Sequence, residues 1–394
     1  MGRTSASALL ALAALSGLGT ALAILDRSGA VSETPAPFAS EAALGEALFF
    51  DTNLSKNRSQ ACATCHDPDF AFVDPRETEA GLAVSLGDDG ISLGDRNAPT
   101  AAYARFSPPF HRTEDGFYVG GQFLDGREPD LAGQAGGPPL NPIEMGMPDK
   151  ESVVGRLEEN PRYVASFKSL YGESVFDDPE AAYAAMTRSI AAFEQTPFFA
   201  PFDSKYDRFL RGEEKLSDQE ELGRLLFFSQ QFTNCNLCHQ LRRSAIAPDE
   251  TFSNYEYHNI GIPENTAARA LNGVAEDFVD HGLLNNPAVD DPAQDGKFKV
   301  PTLRNVAVTG PYMHNGVFKD LRTAVLFYNK YNSKSAKRQI NPETDDPWGD
   351  PEVPGTLALE ELTHGPALDD KRIDALVAFL KTLTDRRYEH LLAD

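Results

Sequence analysis

Basic residues are in short supply. The chain has 36 lysines and arginines against 59 aspartates and glutamates, for a formal charge of −23. Such a surface repels phosphate backbones and anionic headgroups, which argues against nucleic acid or an acidic membrane as partner and permits a basic partner protein. Beyond the N-terminus no apolar run is long enough to cross a bilayer. Strand-like alternation is rare and short, so the periodicity predicts a mainly α fold. Tryptophan occurs once, at Trp348, and cysteine only four times. Those four form two C-x-x-C pairs, with none left over for a disulfide.

The pairs read C-A-T-C-H (62–66) and C-N-L-C-H (235–239). On a helical turn, a two-residue gap puts Cys62 and Cys65, or Cys235 and Cys238, on one side. That arrangement suits thioether bonds to the two vinyl groups of a haem, and the adjoining His66 or His239 is placed to ligate the iron. A zinc ribbon does not require histidine after the second cysteine each time. A thioredoxin-like redox pair needs a βαβ context, which is missing. Two covalent c-type haems are predicted.

The N-terminus carries Arg3, an apolar run and a small-residue A-L-A ending at Ala23. This reads as a signal peptide over 1–23, cleaved after Ala23, with an uncleaved anchor as the other reading. Export to the periplasm suits c-type haem, and no membrane attachment is expected after cleavage. Residues 24–40, with Pro35 and Pro37, read as an exposed leader. The length of 394 residues favours two domains. An internal repeat, L-G-x-x-L-F-F (44–50 and 222–228), precedes each C-x-x-C-H. Duplication predicts two cytochrome c-like haem domains, 41–211 and 212–394, with a seam near Gly212. Asp178-Pro179 predicts a helix start, with Met186, Ile190 and Phe193 on one face. Ser217 and Glu220 form a capping box. Asp369 or Asp370 should cap a last helix bearing Ile373, Leu376, Val377 and Leu380. The loops at 81–149 and 281–318 are long enough to be functional, wrapping haem edges.

Further motifs follow in order: R-N-A-P-T (96–100), D-G-R (125–127), N-P-I-E-M (141–145) and V-P-T-L-R-N-V-A-V-T-G-P-Y-M-H-N-G (300–316). With them the chain resembles the bacterial di-haem cytochrome c peroxidase and MauG family over nearly all of its mature length. The resemblance implies that the N-terminal haem reacts with hydrogen peroxide and that the C-terminal haem stores or relays an electron. It places His66 proximal to the peroxidatic iron, Glu144 as the distal acid–base carboxylate and Gln134 as the distal amide. It also implies one calcium ion, held by Asn97, Thr309 and Pro311 through oxygen atoms. Proton transfer between the two peroxide oxygens supports a carboxylate in Glu144's role.

Three departures from the family pattern set the subtype. No histidine occurs between His66 and His111, so the first iron should be five-coordinate and ready when ferric. Where the peroxidases carry a methionine ligand to the second iron, fourteen positions after His314, this chain has Tyr328, as in MauG. Met313 is the competing ligand, and a core tyrosine is the other reading of Tyr328. A phenolate would favour oxidised iron and a high-valent state shared over both haems. Leu124 stands where the family places a tryptophan between the haems, with Phe123 and Tyr118 nearby and Trp348 in a surface-loop sequence. The sequence therefore reads as MauG-like, acting on a residue of a partner protein. One branch, associated with methanobactin operons, converts a partner's tryptophan to kynurenine. The alternative is a cytochrome c peroxidase fed by a small electron-donor protein, and a non-enzymatic electron carrier is the third reading.

Overall fold

The computed structural model describes residues 36–242 and 244–392. The expected signal peptide and most of the leader lie outside them. At the leader's end Phe38 is pinned rather than free, lying 3.7 Å beneath the Arg162 guanidinium and packing on Tyr163.

Each copy of the repeat forms a helix. Ser40 caps Glu41–Phe49 by accepting the Ala43 N–H, and the Ser217/Glu220 capping box starts Asp218–Phe227. The first helix packs on Pro179–Glu194 and the second on Asp370–Lys381. The repeat's glycine explains how closely. A Cβ on Gly45 would collide with the Ser189 carbonyl, and one on Gly223 with the Ala375 carbonyl. Both helix pairs therefore touch backbone to backbone, which only glycine permits.

Two cores grow from these pairs. One gathers Leu44, Leu48, Phe49, Met186, Ile190, Phe193 and Phe199, and the other Leu226, Phe227, Phe252, Leu376, Phe379 and Leu380. Asp178 and Asp369 cap their helices as expected. On the last helix Phe379 is fully buried whereas Val377 is only half-buried, because the apolar stripe turns toward Gly223.

Strands among the described residues are two residues long. His111–Arg112 pairs antiparallel with Tyr118–Val119, and Tyr257–His258 with Phe298–Lys299. Buried charge fastens the long loops instead. Arg96 of R-N-A-P-T bonds Asp125 of D-G-R at 2.7 Å and Asp280 at 2.6 Å, joining three distant stretches. Breaking a buried pair of this kind by removing one partner costs about 3–5 kcal/mol. Trp348 packs edge-on against Phe318 and Phe327 and donates its indole N–H to the Arg338 carbonyl, so its loop is folded inward.

Candidate functional site

Each C-x-x-C-H is one helical turn. The His66 N–H donates to the Cys62 carbonyl, and the His239 N–H to the Cys235 carbonyl, both at 2.9 Å. None of the four cysteines is joined in a disulfide. His66 Nδ1 lies 3.1 Å from the Phe72 carbonyl and His239 Nδ1 3.1 Å from the Phe252 carbonyl. A proton held on Nδ1 leaves Nε2 as the metal-binding nitrogen. Burial lowers the pKa of both imidazoles, His239 to about 4, so each is neutral and able to ligate.

The two accepting phenylalanines share an uncommon backbone. Phe72 has φ 59° and Phe252 φ 57°, left-handed values that a bulky residue adopts at a cost. In both copies this turn aims a carbonyl back at the imidazole. The spacing hides it, since Phe72 follows its histidine by 6 positions (72 − 66) and Phe252 by 13 (252 − 239). Paired thiols on one turn and an oriented neutral imidazole fit a covalent haem at each motif.

Around the first motif, Glu144 is half-buried and its Oε1 accepts from Asn141 Nδ2 at 3.0 Å. Its charge bears on both Cys62 and Cys65, so it lies within electrostatic reach of the attachment turn. Burial raises the carboxyl's pKa, opposed by Arg127 and by the Asn141 hydrogen bond. Arg127 stacks 3.6 Å over the Phe123 ring and pairs with Asp125 at 2.8 Å. Gln134 sits half-buried on Leu131–Ala135, whose start Asp130 caps.

The second motif opens on a cavity of about 370 Å³, whose wall includes Cys235, Cys238, His239, Met313, His314 and Tyr328. Tyr328 comes from the helix Leu321–Asn329, and burial raises its phenol pKa. Tyr328 and Met313, the competing ligands, share this wall. So do Asn97, Thr309 and Pro311, together with Phe123 and Leu124. The Asn97 side-chain amide donates to the Leu82 and Ala83 carbonyls, which leaves its oxygen to face elsewhere. Tyr118 lies apart, stacked on Phe110 at 5.6 Å. His314, which served in the sequence only to locate Tyr328, is a further wall residue. Its ring stacks 3.7 Å from Phe298, and its Nε2 is buried without a partner. The Pro-Tyr-Met-His string was the available signal.

The family model described as di-haem cytochrome c peroxidase matches residues 39–215. The methylamine utilization protein MauG of Paracoccus denitrificans (strain Pd 1222) is 60% identical over 353 residues, covering 90% of this chain and 90% of that protein. Among solved structures, the diheme peroxidase BthA of Burkholderia thailandensis E264 superposes with a TM-score of 0.81 at 34% identity, covering 91% of this chain and 89% of that one. A MauG-like protein associated with microbial copper homeostasis gives 0.64 at 30% identity, covering 91% and 92%.

Proposed function

The chain belongs to the di-haem cytochrome c peroxidase family, and from that premise we propose that it uses hydrogen peroxide to oxidise a residue of a partner protein. Haems held at His66 and His239 would supply iron centres that exchange single electrons, and peroxide would react at the first. The observation that carries the reading is the Glu144 carboxyl, raised in pKa by burial and within electrostatic reach of both cysteines of the first motif. A carboxyl there takes the proton from the near peroxide oxygen and returns it to the far one, so the departing oxygen leaves as water rather than hydroxide. Asn141 fixes the carboxyl's orientation, and Arg127 steadies its charged form. Gln134 orients the peroxide by hydrogen bonding.

Tyr328 is the proposed sixth ligand at the second site. Burial alone keeps this phenol protonated; a ferric ion held beside it would stabilise the phenolate by its charge, and the displaced proton would pass to solvent. Asn97, Thr309 and Pro311 are the proposed calcium ligands, and residues 41–211 and 212–394 the two haem domains. Export to the periplasm follows from the N-terminal signal pattern. No helix among the described residues is long and apolar enough to cross a membrane.

The 60% identity to a methylamine utilization protein, against 30% to the copper-homeostasis protein, favours a partner from amine utilisation over the tryptophan-to-kynurenine branch. The test is mass spectrometry of co-expressed neighbouring proteins with and without added peroxide. A peroxide-dependent mass change in one partner supports the reading. Fast turnover with reduced cytochrome c and no change in any partner would move the cytochrome c peroxidase alternative ahead.

A further inference from the structure

Between the two histidines runs a continuous buried path. The Phe72 carbonyl that faces His66 also accepts the Ala101 N–H at 3.2 Å, and Tyr103 lies two residues on. Tyr103 N–H donates to the Phe199 carbonyl at 3.1 Å, and the Phe199 ring stacks 4.3 Å from Phe72. On the other side the Arg304 guanidinium lies 5.4 Å from the Tyr103 ring and 5.3 Å from the ring of Phe252, whose carbonyl faces His239. Tyr103 also lines the second site's cavity. Phenylalanine rings and a guanidinium do not give up an electron under these conditions, so Tyr103 is the one oxidisable side chain on this path.

Its hydroxyl is set up for that role. Tyr103, 1% exposed, donates to Asp385 Oδ1 at 2.6 Å, and Asp385 is 0% exposed. Asn305 holds Asp385 twice, donating Nδ2 to the carboxylate Oδ2 at 2.9 Å and accepting the Asp385 backbone N–H on its Oδ1 at 2.7 Å. Tyrosine loses an electron readily only when a base takes its proton. The groups facing Asp385 are Tyr103, Asn305, Arg304 and Asp203, and burial raises its pKa only to about 6, so at neutral pH it is an acceptor. Two other buried tyrosines lack this. Tyr206 and Tyr257 donate to backbone carbonyls, at 2.6 and 2.5 Å, and a carbonyl is too weak a base. Tyr103 is also held at φ 61°, strain of the sort that collects at working positions.

We propose that Tyr103 is a one-electron relay between the two haem sites, with Asp385 as its proton acceptor. The proposal deepens the peroxide reading and rests on it. The oxidant is hydrogen peroxide acting at the first site. Tyr103 gives one electron to that site as its O–H bond breaks and a new O–H bond forms on Asp385. An electron from the second site then reduces the tyrosyl radical, and the proton returns. Tyr103 and Asp385 end unchanged, with one electron moved from the second site to the first.

The test uses the holoprotein in stopped flow, following each haem's absorption after peroxide, in light and heavy water. In the wild type the second site's response should show a solvent deuterium isotope effect. Tyr103→Phe keeps the ring and loses only the hydroxyl. With two haems retained by pyridine haemochrome count, it should slow the second-site response about 10²-fold, the lower range of a positioned proton transfer, and abolish the isotope effect. Asp385→Asn, close in shape but unable to take the proton, should slow the same step, and it decides the matter if Tyr103→Phe loses haem. A second-site rate equal to wild type in whichever variant retains its haems overturns the relay while leaving the peroxide reading intact. Wild-type protein whose first site ignores peroxide would overturn both.

Discussion

At the scale of single residues, two carboxyls whose pKa burial raises have different work. Glu144 has a hydrogen-bond donor and a cation nearby, as a group that must cycle its proton should. Glu144→Gln is expected to bind both haems and to react with peroxide about 10²–10⁴-fold more slowly in stopped flow. Wild-type kinetics would remove it from the mechanism. Glu194 is 5% exposed, has one carboxyl oxygen without a partner, and is raised by burial from 4.5 to about 8. Folded protein therefore holds this proton between about pH 4.5 and 8 while unfolded protein releases it. Stability from this group is fully present below that window and declines as pH rises through it, by at most about 1.4 kcal/mol per unit. Glu194→Gln lacks the decline, so its Tm relative to wild type should improve from the acid end of the window to the alkaline end. Parallel Tm curves would show that Glu194 ionises normally. The cysteines and histidines of both motifs were legible because their chemistry is local. The Tyr103–Asp385 pair was not, because 282 positions separate partners that only the fold brings together.

At the scale of elements, the repeated L-G-x-x-L-F-F announced two equivalent helices, and the structure adds why its glycine is there. Gly45→Ala and Gly223→Ala should each lower Tm. Alanine's helix advantage of about 1 kcal/mol is outweighed by pushing two backbones apart, which costs about 1–3 kcal/mol. Gly155, on the exposed face of Lys150–Glu158 with open space around its Cβ direction, is the control. Gly155→Ala should stabilise by about 0.5–1 kcal/mol. Equal effects at all three positions in thermal melts would dismiss the close approach as the reason. The long loops were legible as functional lengths but not as structure. Nothing local in R-N-A-P-T or D-G-R states that Arg96 will clamp Asp125 to Asp280. Tyr328, on the helix Leu321–Asn329, and Met313, eight residues before that helix (321 − 313), line one cavity wall, so both remain within reach of the second site. Tyr328→Met should raise the second haem's reduction potential in potentiometric titration, since a neutral soft ligand favours the reduced iron. An unchanged potential would return Tyr328 to the core and make Met313 the ligand.

At the scale of the whole molecule, two similar halves carry dissimilar sites. The first motif lies within electrostatic reach of the Glu144 carboxyl, and the second lines a cavity whose wall includes Tyr328. A shared oxidation needs that asymmetry, with one iron open to peroxide and the other closed and able to give up an electron. The most direct test is electron paramagnetic resonance of the diferric holoprotein before and after one equivalent of hydrogen peroxide. The resting spectrum should contain one high-spin and one low-spin haem, and peroxide should deplete both signals together. Loss of the high-spin signal alone, with the low-spin haem untouched, would contradict the account.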